Sequence, residues 1–120
     1  MPKVLVVDDQ AELREMMQAG LLLSGYQVRT AAEGAGALNA AAHFAPDLIV
    51  LDFNLPGLHG PALCARLRQQ AEQASILLIS GCASPAEVHA SLQAGAREYL
   101  RKPFELERLL TRIGALLSEI

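Results

Sequence analysis

Apolar residues in this chain come in short runs, each of which ends on polar groups. Val4-Leu5-Val6-Val7 runs into Asp8-Asp9, and Leu48-Ile49-Val50-Leu51 runs into Asp52. Ile76-Leu77-Leu78-Ile79 runs into Ser80-Gly81, and Glu98-Tyr99-Leu100 runs into Arg101-Lys102-Pro103. Runs with so little alternation suit parallel strands that are covered on both faces. The pattern predicts strands over 3–7, 26–30, 47–51, 75–80 and 97–101. The run from Gln27 to Thr30 alternates more than the others, which places it at a sheet edge.

Between the runs the period changes from two to that of a helix. Residues 11–24 carry Leu13, Met16, Met17 and Leu21 at helical spacing, and Gly25 is placed to end that helix. Residues 33–45 set Leu38, Ala41, Ala42 and Ala45 on one side before Pro46, and residues 61–71 open on Pro61. Ser84-Pro85-Ala86-Glu87 has capping-box spacing for a helix over 84–94, with Gly95 as its stop. Residues 105–119 carry a broad stripe of Leu106, Leu109, Leu110, Ile113, Leu116 and Leu117. The stripe runs on to Ile120, which favours a continuation of the chain or a homodimer through this helix. Five strand–helix units predict an α/β fold, a doubly wound (βα)5 parallel sheet with right-handed crossovers.

In such a sheet the polar groups that end the runs share one carboxyl edge, where open α/β sheets bind ligands. Carboxylates crowded there repel one another unless a cation lies among them. Asp8 and Asp9 suit Mg²⁺, a hard ion that takes oxygen ligands, and the ion could bridge Asp9, Asp52 and a backbone carbonyl of the following turn. Asp52 is the candidate nucleophile, since an aspartate can accept a phosphoryl group as an acyl phosphate. Lys102 and the Ser80 hydroxyl would hold phosphoryl oxygens, and Gly81 leaves backbone space beside Ser80.

Composition narrows the classes further. At 120 residues, 52% hydrophobic and 19% charged, the chain suits one folded domain spanning 1–120 and argues against disorder. A net charge of −3 gives nucleic acid no electrostatic footing. The apolar runs are too short to cross a bilayer, and no cleavable signal pattern precedes Lys3. Cys64 and Cys82 lack metal-ligand spacing and form no secreted disulfide framework, so a cytoplasmic setting is expected. His43, His59 and His89 also lack ligand spacing and read as surface or loop residues.

Asp8-Asp9, the segment Asp52-Phe53-Asn54-Leu55-Pro56-Gly57-Leu58-His59-Gly60, Ser80-Gly81 and Lys102-Pro103-Phe104 together resemble the receiver domains of two-component response regulators. The resemblance covers essentially the whole chain. It implies a flavodoxin-like strand order 2-1-3-4-5 and a phosphorylation switch. Asp52 would take a phosphoryl group from a histidine kinase or histidine phosphotransfer protein. Mg²⁺ would be bound by Asp8, Asp9, Asp52 and the main-chain carbonyl of Asn54, while Ser80 and Lys102 hold the phosphoryl group. Pro103 would follow a cis bond. Tyr99 matches the aromatic position that reorients with Ser80, and Cys82 a position that tunes hydrolysis of the acyl phosphate. The changed surface would be 84–112, where His89, Arg97, Tyr99, Arg101, Arg108 and Arg112 suggest an acidic partner protein or output domain. No turnover beyond its own phosphoryl transfer and autodephosphorylation is expected. Two other readings stand beside it: a Mg²⁺-dependent aspartyl-phosphate phosphatase, which needs a second acid where Asn54 stands, and an interaction module of the same shape without phosphotransfer.

Overall fold

Parallel strands buried on both faces need helices on both sides, and the apolar runs become such strands. The structure, a computed structural model, describes residues 1–119. Its strands are β1 (Lys3–Val7), β2 (Gln27–Ala31), β3 (Leu48–Asp52), β4 (Ser75–Ser80) and β5 (Glu98–Arg101). They alternate with α1 (Ala11–Leu23), α2 (Gly34–Phe44), α3 (Gly60–Gln70), α4 (Pro85–Gln93) and α5 (Leu106–Ser118). All neighbours pair in parallel, in the order 2-1-3-4-5, so β2 lies at one edge as its alternation predicts.

The two faces of the sheet explain why the runs lack alternation. Leu5, Val7, Ile49, Leu51, Ile76 and Leu78 pack with Ala37 and Ala41 of α2 and Leu63, Cys64 and Leu67 of α3. Val4, Val6, Leu48, Val50, Leu77 and Ile79 pack with Met17 and Leu21 of α1 and Leu109, Ile113 and Leu116 of α5. Every second residue is therefore as buried as its neighbours. Cys64 belongs to the first layer, and its burial pushes the thiol pKa up to about 11.

Three expectations need correction. The ladder runs one residue further than the apolar letters: Asp52 pairs with Ile79 and is the last residue of β3. On α2 the inward face is Gly34, Ala37, Ala41 and Phe44, with Ala42 and Ala45 exposed. Ala45 takes a left-handed φ of 52° and leaves the helix before Pro46, so it cannot continue the face. Met16 is 41% exposed while its neighbour Met17 is fully buried, because α1 turns only one side to the sheet. Leu106, Leu110 and Leu117 of α5, partly buried, pack against the domain's own core. Ile120 lies outside the described residues.

The predicted capping box of α4 forms, with the Ser84 hydroxyl accepting from the Glu87 N–H and the Glu87 carboxylate from the Ser84 N–H. The helix is otherwise lightly held: its one buried residue is Ser91, whose hydroxyl has no hydrogen-bond partner. Among the described residues no helix is long and apolar enough to cross a membrane.

Candidate functional site

Register brings the site together. Val7 lies beside Leu51, so the residues that follow, Asp8 and Asp52, emerge side by side from the two central strands. Neighbouring strands are about 4.8 Å apart, close enough for two carboxylates to share one ligand. Ser80 ends β4 next to Asp52's strand, and Lys102 leaves β5 with its N–H donating to the Ser80 carbonyl at 2.9 Å. The Lys102–Pro103 peptide is cis, as the resemblance implies. Carboxylate oxygens of Asp8, Asp9 and Asp52 lie within 4.8 Å of one another. Into this group reaches the Lys102 ammonium, 3.0 Å from Asp8 Oδ2 and 3.4 Å from Asp52 Oδ2.

Charge makes the cluster demanding. Asp8 is fully buried and Asp52 only 3% exposed, while Asp9 faces solvent. Burial, then the nearby Asp8 carboxylate, pushes the Asp52 pKa from 3.8 up to about 6, against the pull of Lys102 and the Asn54 N–H. When ionised, three carboxylates against one ammonium leave a clear excess of negative charge. Hard oxygen donors in negative excess, two of them buried, are a fitting set for a small divalent cation. Such a site also suits a transferred group that spreads negative charge over several oxygens, since Lys102 and backbone N–H groups stand beside the acceptor.

The two switch candidates touch the same strand end. Ser80 Oγ is buried and accepts from the Ala83 N–H at 3.0 Å and the Cys82 N–H at 3.2 Å, so its hydroxyl is held by the loop after β4. The Tyr99 hydroxyl donates to the Ser80 carbonyl at 2.9 Å, tying β5 to that loop. Gly81 is less constrained than expected: a Cβ there would meet Lys102 at 3.5 Å, an ordinary contact.

Three participants escape a reading of the sequence alone, and a fourth, Cys82, gains a contact that the sequence does not carry. The Asn54 amide donates to Cys82 Sγ at 2.7 Å and lies 3.4 Å from Ser80 Oγ, which puts Cys82 on the site's rim. Gln10 Oε1 accepts from Lys102 at 3.2 Å, and Arg14 donates to the Asp8 carbonyl at 2.8 Å. Their position in the first turn after an acidic pair is the only sequence signal they carry. Gly34, at the start of α2, faces the loop after β3 so closely that a Cβ would lie 2.4 Å from the Leu58 carbonyl oxygen.

The surface over 84–112 is less basic than its letters. Arg112 forms a two-bond ion pair with Glu98, holding that carboxylate below its ordinary pKa range, and Arg97 pairs with Glu119. Arg101, Arg108 and His89 remain exposed, so the case for an acidic partner narrows to those three. His43 and His59 are exposed, His43 late in α2 and His59 at the start of α3, with ring nitrogens on the Asn39 and Gly57 carbonyls.

Comparison with known proteins agrees with this geometry. The sequence model of the response regulator receiver domain matches residues 4–114. The transcriptional regulatory protein PrrA of Mycobacterium tuberculosis is 43% identical over 116 residues, which are 97% of this chain and 50% of that protein. The chain therefore spans about half the length of the curated relatives it matches. Among solved structures, a CheY-like receiver domain protein from Methanospirillum hungatei superposes with a TM-score of 0.95 at 28% identity, over 99% of this chain and 95% of the other. CheY4 of Vibrio cholerae, a chemotaxis protein, gives 0.90 at 35% identity, over 97% and 98%. A strand order, a set of strand-end acids and a sequence match that runs through all five strands converge on one answer, and the chain belongs to the receiver domain family of two-component response regulators.

Proposed function

We propose that residues 1–120 form one receiver domain in which Asp52 is the phosphoacceptor of a signalling switch. The observation that carries this reading is the placement of Asp52, nearly buried at a strand end, beside Asp8 and within 3.4 Å of the Lys102 ammonium. An Asp52 carboxylate oxygen attacks phosphorus of a phosphohistidine on a kinase or phosphotransfer protein. The new O–P bond forms as the P–N bond breaks, and the imidazole leaves with the electron pair and takes up a proton. Lys102 holds one phosphoryl oxygen, and Ser80 Oγ turns from its loop N–H partners to donate to another. Asp8, Asp9, Asp52 and the Asn54 carbonyl would hold Mg²⁺, which offsets carboxylate repulsion and the charge on the transferring group.

Movement of Ser80 breaks two loop contacts, and Tyr99, bonded to the Ser80 carbonyl, follows. The 84–112 surface then changes for an output domain or partner protein. PrrA, named a transcriptional regulator, is twice as long as its match to this chain, which supports an output domain beyond the receiver. The free thiols Cys64 and Cys82 support a reducing, cytoplasmic setting. Nothing in the charge favours nucleic acid as a direct partner of this domain. The phosphatase alternative is weakened by Asn54, whose amide is engaged with Ser80 and Cys82 where that chemistry needs an acid.

Intact-mass measurement after incubation with acetyl phosphate and Mg²⁺ tests the reading. Wild type should gain one phosphoryl group, EDTA should prevent the gain, and Asp52→Asn should abolish it. Equal labelling of wild type and Asp52→Asn would overturn it.

A further inference from the structure

Lys102 has three N–H donors, and three acceptors surround its nitrogen: Asp8 Oδ2 at 3.0 Å, Gln10 Oε1 at 3.2 Å and Asp52 Oδ2 at 3.4 Å. An arriving phosphoryl oxygen must displace one of them. Asp8 is a buried carboxylate, and parting it from the ammonium would leave charge unpaired out of water, whereas Asp52 is itself joined to the incoming group and so stays beside the ammonium. Gln10 is exposed and neutral, and water can solvate its amide once it is released. We propose that Gln10 is a positioning residue that occupies, on Lys102, the hydrogen-bonding place the phosphoryl group later takes, and so sets how readily the site accepts that group.

The helix start supports this assignment independently. Gln10 is the N-cap residue of α1, with extended backbone angles (φ −85°, ψ 107°), yet its side chain makes no capping bond. That position favours Ser, Thr, Asp or Asn, whose short side chains reach the free N–H groups of the first turn. Here the longer amide points to Lys102 instead. Its base is pinned: the Gln10 N–H donates to Asp8 Oδ1 at 2.9 Å, and its carbonyl accepts from the Arg14 N–H at 2.9 Å. A fixed backbone lets a flexible side chain return to the same acceptor position each time the phosphoryl group leaves.

This inference rests on the phosphoacceptor reading, and its test keeps the two apart. Beryllofluoride, a phosphoryl mimic, is titrated at saturating Mg²⁺ into wild type, Gln10→Ala, Gln10→Met and Gln10→Glu. Met keeps most of the side-chain volume without the acceptor, and Glu keeps the acceptor and adds charge. Ala and Met should bind about two- to fivefold more tightly than wild type, the scale of one exposed hydrogen bond, and Glu about fivefold or more weakly. Lys3 and Lys102 are the chain's two lysines, so selective lysine labelling gives a second readout by NMR without metal. The Lys102 ε-methylene signal should move in Ala and Met while that of Lys3, over the Phe44 ring, stays in place. A Lys102 signal unchanged in Ala and Met, or Ala and Met binding no tighter than wild type, overturns the placeholder role alone. Absence of Mg²⁺-dependent binding by wild type overturns the underlying reading with it.

Discussion

At the scale of single residues, Asp52 shows how the fold sets a chemical property that the letter does not carry. Its folded pKa of about 6 lies above the unfolded value near 3.8, chiefly because it is buried. Between those values the folded state binds more protons at Asp52 than the unfolded one, so this residue's contribution to metal-free stability is fully present below about 3.8 and is lost as pH rises through 6. The loss should be about 3 kcal/mol. Asp52→Asn should remove most of that slope and make the metal-free protein more stable at pH 7, as urea melts across pH 4–8 would show. A variant with the wild-type slope would assign the titration to another group. Asp8, Asp9, Asp52 and Lys102 were legible because each stands at the end of an apolar run, and strand ends share an edge. Gln10 and Arg14 were not legible, since side chains meeting across loops leave no periodic trace.

Among the elements, α2 and α4 differ in how firmly they are placed. The first turn of α2 touches the loop after β3 through Gly34, where a methyl group would meet the Leu58 carbonyl oxygen. Gly34→Ala should cost about 1–3 kcal/mol. It should also shift amide signals over 54–60, next to Asp52; an undisturbed loop would show that α2 yields instead. The helix α4 carries the opposite defect, a buried Ser91 hydroxyl without a partner. An unpaired buried hydroxyl is a penalty, so Ser91→Ala should stabilise the domain by about 1 kcal/mol. A lowered urea midpoint would mean that the hydroxyl finds a partner in solution. Periodicity located both helices, yet it mistook the inner face of α2, because an alanine-rich helix offers little contrast between its sides. Gly34 and Phe44, at its two ends, decide that face.

For the molecule as a whole, the acidic cluster couples ligand binding to stability. Mg²⁺ at about a hundred times its Kd should add about 2.7 kcal/mol to the folded state. Thermal melts with and without the ion would register this as a rise of several degrees, smaller in Asp52→Asn and fading below pH 6 as protons compete for Asp52. No stabilisation in wild type at millimolar Mg²⁺ would remove the metal from the account. A switch of the proposed kind needs about 5.5 kcal/mol between its two states to go from nearly off to nearly on, which the bonds that Ser80 and Lys102 would exchange must supply. The sequence by itself determined the alternation of strands and helices, the parallel sheet and the strand-end acids, because burial on both faces and chain direction leave their mark in local patterns. Only the tertiary structure decided which groups share the Lys102 ammonium, how far Asp52 is desolvated and which arginines of the 84–112 surface are already paired. Those depend on distances between segments remote in sequence, and packing alone sets them.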